Sequence, residues 1–200
     1  MHNYSGSDRG GKAMNIIVAG VIGRYPYGGV AWCSMMYLIG LQRLGHNVWY
    51  LEDMGECNFD PFENTLSTDP RYALGFIHTC LGPYGLGDNW CYVNYLGTEY
   101  FGHTREQWRQ VCADCDLFIN LSGGCWTWRD EYEAIPHTAF IDSDPALLRT
   151  TETPPPKHWI ASAGTRALIS FAASLKSWAA VLFMIHAAAL THHAFELAIS

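Results

Sequence analysis

Four short segments hold residues whose types and spacing suit ligand chemistry. Gly28-Gly29 stand immediately before a helical pattern. Two residues without Cβ let backbone N–H groups approach a ligand, and a helix N-terminus favours an anion such as a phosphate. The same pair would equally serve a tight turn from strand to helix. Glu52-Asp53 close a strand pattern, where a carboxylate either accepts hydrogen bonds from ligand hydroxyls or ends the strand in solvent. Ser122-Gly123-Gly124 make another turn at a strand end, either open to a ligand or structural. Asp142-Ser143-Asp144 put two carboxylates at i and i+2, a pair that suits a metal, acid/base work, polar ligand contact or turn capping. No third ligand is in view, so no metal is expected.

Other chemistries are excluded by their missing patterns. GxGxxG cannot be laid on the loop from Gly20 to Gly29, and no GK[ST] follows it. No GxSxG elbow exists, so an α/β-hydrolase reading fails. Cys112-Ala113-Asp114-Cys115 is a lone CxxC, without the second ligand pair a zinc site needs. His46, His78, His103 and His137 form no H-x-x-x-H pair.

The elements that must position these residues follow from periodicity. Met14–Gly20 is a β-branched apolar run of the kind buried on both faces of a sheet. Trp32, Met35, Met36, Ile39 and Leu44 then recur near helical spacing, with Gly45 placed as a C-terminal cap. Asn47–Leu51 returns to a strand. Residues 54–64 read as a loop, and Asp69-Pro70 starts a helix that Gly82-Pro83 ends. Trp90–Tyr95 is either a strand or an aromatic surface loop. Thr104-Arg105-Glu106-Gln107 has the form of a capping box for a helix to about Cys115. Asp116–Leu121 and His137–Asp142 are two more strands. This alternation predicts a parallel α/β sheet, whose ligands sit beyond the carboxyl ends of the strands.

Composition narrows the function classes and divides the chain. Two hundred residues, 49% hydrophobic and 16% charged, exclude disorder over the whole length. A net charge of −7 argues against nucleic acid or an anionic membrane as the partner. Residues 1–13 are polar, without the apolar stretch of a signal peptide, and read as a disordered leader. The seven cysteines are odd in number and read as reduced thiols of a cytoplasmic protein. After residue 146 the composition changes. Residues 147–157 make a Pro-rich linker, and 158–200 an Ala-rich, helix-prone tail with 12 alanines in the last 40 residues. Ser177 to Phe195 carries no formal charge but three histidines, which is weak for a membrane span.

Tyr25-Pro26-Tyr27-Gly28-Gly29-Val30, Leu38, Leu41 and Leu44-Gly45-His46-Asn47-Val48 together resemble the opening of GT-B glycosyltransferases of the family 1 and family 4 kind. The resemblance covers residues 14–146 and implies a Rossmann-like domain that holds a small-molecule or glycan acceptor. A nucleotide-sugar donor is then the co-substrate, with no other cofactor. The resemblance implies that Gly28 and Gly29 face the donor's phosphates, with Arg24 and Tyr27 beside them, and it adds Ser122 and Gly123 at a neighbouring strand end. Asp142, Asp144 and Glu52 become the candidates for a general base. A second Rossmann-like domain and the E-x(7)-E donor motif are absent from the 200 residues. The expectation is therefore a truncated or frameshifted enzyme, inactive alone, with a tail not native to its fold. Two other classes stay open. One is a different Rossmann-like nucleotide-binding enzyme, suggested by the first loop and Glu52-Asp53; the other is a binding or membrane-associated module docking through its tail.

Overall fold

The computed structural model describes residues 13–142 and 166–170. Within these residues the elements follow in the order β1 (Asn15–Ala19), α1 (Gly28–Arg43), β2 (Asn47–Glu52), β3 (Asn58–Asp60), β4 (Thr65–Ser67), α2 (Arg71–Leu81), β5 (Trp90–Val93), β6 (Tyr100–Phe101), α3 (Arg105–Ala113), β7 (Leu117–Leu121), α4 (Asp130–Glu133), β8 (His137–Asp142) and β9 (Arg166–Ser170). Seven of these strands form one sheet in the order β6-β5-β2-β1-β7-β8-β9. All neighbouring pairs are parallel except β5 with β6. Numbered by appearance, the parallel strands run 3-2-1-4-5-6, the order of a doubly wound nucleotide-binding sheet.

Each central strand feeds two cores because its side chains alternate across the sheet. Ile16, Val18, Val48, Tyr50 and Tyr92 meet Met35, Leu38 and Leu41 of α1 and Ala73 and Ile77 of α2 on one face. Ile17, Ala19, Leu51, Cys91 and Phe118 meet Trp108 and Cys112 of α3 and Tyr132 of α4 on the other. The expected α/β class is thus observed, with helices on both faces.

Local chemistry sets the helix ends. Gly45, at φ +89, ends α1 with paired bonds from its own N–H to Gln42 (2.9 Å) and from the His46 N–H to Leu41 (3.2 Å). That is a Schellman cap, which needs a residue free of Cβ strain. Buried His46 then accepts the Met14 N–H at Nδ1, tying the start of β1 to the entry of β2. So Leu44-Gly45-His46 has a structural duty independent of any ligand. The Thr104–Gln107 capping box forms as predicted.

Of the two readings of Trp90–Tyr95, the structure has the strand, buried over Trp90–Val93. Elsewhere it departs from the sequence reading. The expected loop at 54–64 contains β3, which pairs antiparallel with β4. Arg166–Ser170, expected within a helical tail, pairs in parallel with β8 from Thr138↔Arg166 to Asp142↔Ser170. Ladder bonds to the free edge of β8 satisfy that backbone, and they outweigh helix propensity there. The sheet therefore takes in residues beyond 146. The leader at 1–12, the linker at 147–157 and the remainder of the tail lie outside the described residues.

Candidate carboxyl-edge site

The residues singled out from the sequence gather along one edge of the sheet, beyond the carboxyl ends of β1, β2, β7 and β8. The loop from β1 to α1 is held from below by β2. Tyr50 Oη accepts the Ile22 N–H at 2.8 Å and donates to Glu52 Oε2 at 2.7 Å. Glu52 Oε2 also accepts the Gly23 N–H at 2.9 Å, and Oε1 accepts the Arg24 N–H. Glu52 is only 1% exposed, and burial pushes its carboxyl up to about 7, the hydrogen bonds offsetting only part of that desolvation. Both oxygens are taken by the loop and by Tyr50, so this side chain positions the loop. Arg24 is buried as well. Its guanidinium donates to the Cys57 carbonyl and to Glu56, which locks the loop to the start of the β3–β4 hairpin. The Phe59 N–H bonds the Arg24 carbonyl at 2.9 Å in the same junction.

Above this braced loop the chain opens. Tyr27 is half exposed, and it starts α1 with no side-chain cap and no acidic residue in the first turn. Neither Gly28 nor Gly29 has a positive φ, and a Cβ placed on either would meet nothing within 4 Å. The turn does not require glycine at either position. Two glycines in a helix each cost about 1 kcal/mol relative to alanine, with no return in packing. What they leave is an open approach to the first backbone N–H groups of α1.

Asp53 serves the opposite face. It is fully buried and grips Arg129 from Nε at 2.5 Å and Nη2 at 2.8 Å, with the Tyr132 hydroxyl at 2.8 Å. Hydrogen bonds to the Asp53 carboxylate hold the Arg129 guanidinium above its ordinary range. Gly97 makes room for this: a Cβ there would stand 2.6 Å from Arg129 Nη2. Nothing in the sequence marks Arg129, which lies 76 residues from its partner.

No family model, curated protein or solved structure matches the chain. Ser122 and Gly123 lie at φ +52 and +78, and the Gly124 N–H closes onto the Leu121 carbonyl at 3.0 Å, which is a type I′ turn. Ser122 is exposed, whereas Gly123 is covered by the Trp126 indole. Asn120 braces the turn through the N–H and carbonyl of Cys125. Gly124 presses on β1 so closely that a Cβ would overlap the backbone of Gly20 and stand 2.7 Å from the Ala19 carbonyl carbon. Cys125 then pairs with Asp53 as an isolated parallel bridge. The loop after β7 thus crosses the end of β1 and reaches β2.

Asp142 ends β8, two strands from β1, roughly 10 Å across the sheet. Asp144 lies outside the described residues. The edge thus assembles Arg24, Tyr27, Gly28, Gly29 and Glu52 around one loop, with Ser122, Gly123 and Asp142 across β1. Among the described residues, no group of three or more His, Cys, Asp or Glu is placed to hold a metal, and no helix is long and apolar enough to cross a membrane. The CxxC falls at the C-terminal end of α3 with both thiols buried. Burial pushes Cys115 up to about 12 and Cys112 above its ordinary range. A redox pair needs the opposite shift.

Proposed function

We propose that this domain is the acceptor side of a GT-B-type glycosyltransferase, with the N-terminus of α1 facing the diphosphate of a nucleotide-sugar donor. The observation that carries the reading is the Gly28-Gly29 pair, helix-weakening residues that neither the turn nor the packing requires. Removing Cβ at both positions suits close approach of a bulky anion to backbone N–H groups. A helix N-terminus of this kind stabilises the charge that develops on a departing diphosphate. In this reading Arg24 and Glu52 fix the loop, and Asp142 takes the proton from the acceptor hydroxyl. The acceptor oxygen then bonds to the sugar carbon as the bond to the diphosphate breaks.

A dinucleotide enzyme would share the strand order but needs the crevice between β1 and β7. In this chain the contact between Gly124 and Gly20 and the Cys125–Asp53 bridge fill that place. Glu52, at the strand end where a ribose contact would be sought, is buried under the loop. Both points favour the glycosyltransferase reading.

The test is an amide NMR titration of the full chain with inorganic diphosphate, with NAD as the comparison ligand. Diphosphate should move the Gly28, Gly29 and Val30 resonances and saturate in the millimolar range. Unmoved resonances, or tighter binding of NAD, would overturn the proposal.

A further inference from the structure

The opposite, amino-terminal edge of the sheet carries a groove of about 390 Å³ between α3 and β2. Its apolar wall is Trp49 and Val111. Trp49 stands on the same face of β2 as the fully buried Leu51, but it is only partly covered, with His103 edge-on at 5.3 Å and Trp108 at 6.3 Å. The polar wall is defined by what its groups already bond. His103 Nδ1 lies 3.0 Å from the Trp90 carbonyl, so that nitrogen is a donor, and in the neutral ring Nε2 is the acceptor. Gln107 uses its carbonyl oxygen to accept the Thr104 N–H, which leaves its NH₂ as a donor. Gln110 donates to Asp114 Oδ2 at 3.0 Å, which leaves the Gln110 carbonyl and Asp114 Oδ1 as acceptors.

From this set we infer that the groove is a second binding site, selective for a neutral saccharide. Three acceptors and an amide donor around an aromatic and aliphatic wall match vicinal hydroxyls on a ring with an apolar C–H face. No lysine or arginine lines the groove, and Asp114 repels anions. A metal cation would find one carboxylate, half of it already bonded. The volume lies at the lower end of small-ligand sites, roughly 300–1,000 Å³, and fits one or two sugar rings. The site is separated from the carboxyl edge by the length of the strands, so it stands independently of the reading proposed for that edge.

The experiment follows the Trp49 indole resonance of the full chain as glucose, mannose or N-acetylglucosamine is added, with glucose 6-phosphate as the charged control. At least one neutral sugar should move it and saturate in the millimolar range, and the phosphate should bind more weakly. Gln110→Ala, and Gln107→Glu, which keeps an oxygen for the Thr104 N–H and loses only the NH₂ donor, sit at exposed helix positions and should fold normally while weakening binding about 5-fold each. An unmoved Trp49 resonance would overturn the inference. So would equal binding of the phosphate, or unchanged affinity in both variants. Gly28 and Gly29 report the other edge, so the two tests fail separately.

Discussion

Asp53 grips Arg129 with both carboxylate oxygens, at 2.5 and 2.8 Å, across 76 residues of sequence. Its neighbour Glu52 holds the loop on the other face of the sheet. Two consecutive acidic residues at one strand end thus act in opposite directions, because successive side chains of a strand point to opposite faces. Removing one partner of a buried pair leaves an uncompensated charge. Arg129→Ala should therefore destabilise the fold by about 3 kcal/mol, measured by urea denaturation, because Tyr132 alone remains to satisfy Asp53. A loss within experimental error would show that Asp53 reaches water.

Glu52 predicts a pH dependence. Burial raises its carboxyl from 4.5 to about 7 in the folded chain, so the folded state holds the proton more tightly than the unfolded one. Its contribution to stability is then full below 4.5 and is lost as pH rises through about 7. Tyr50, Arg24 and Tyr92 are the titratable groups that interact with it. Glu52→Gln removes this titration. The difference in stability between wild type and variant should change by roughly 2–3 kcal/mol from about pH 5 to about pH 8, with the variant gaining at high pH. Parallel melting curves with no such trend would place the Glu52 pKa near its ordinary value.

Gly28→Ala and Gly29→Ala should each raise stability by about 0.5–1 kcal/mol, since both positions are helical and open. The same changes should weaken diphosphate binding. Thermal melts and the diphosphate titration, run on the same samples, separate the two effects. Variants that gain stability and bind diphosphate unchanged would show that the two glycines do not serve anion binding.

Gly124→Ala should cost about 1–3 kcal/mol, because the added methyl meets backbone atoms of Gly20 and Ala19 rather than a side chain that could turn aside. Gly29→Ala serves as the control for a helix-position alanine. Equal melting temperatures for Gly124→Ala and wild type would mean that the two loops separate freely.

How far the sequence could be read depended on what each residue answers to. Ile16–Ala19 and Leu117–Leu121 were legible because a strand buried on both faces leaves a continuous apolar run. The Thr104–Gln107 cap and the Gly45 terminus were legible because they obey local rules. Arg166–Ser170 was not, since its extended form depends on pairing with β8 and not on its own composition. Glu52 is legible as a strand-end carboxylate, whereas its duty under the loop follows only from its burial. Period-two alternation places it with Val48 and Tyr50 on the α1 side, which was the available signal for burial. Arg129 carried no signal, because only the folded chain brings it to Asp53.

The bridge between Cys125 and Asp53 also bears on the order of folding. Closing a chain segment of this length costs conformational entropy before any contact across it forms. The β1–α1–β2 unit can form from near neighbours in the sequence, whereas the crossing of β1 by the β7 loop must wait for β7 to join the sheet. The carboxyl edge should therefore be completed late, and pulse-labelling hydrogen exchange during refolding should find its amides protected after those at the centre of β1 and β2.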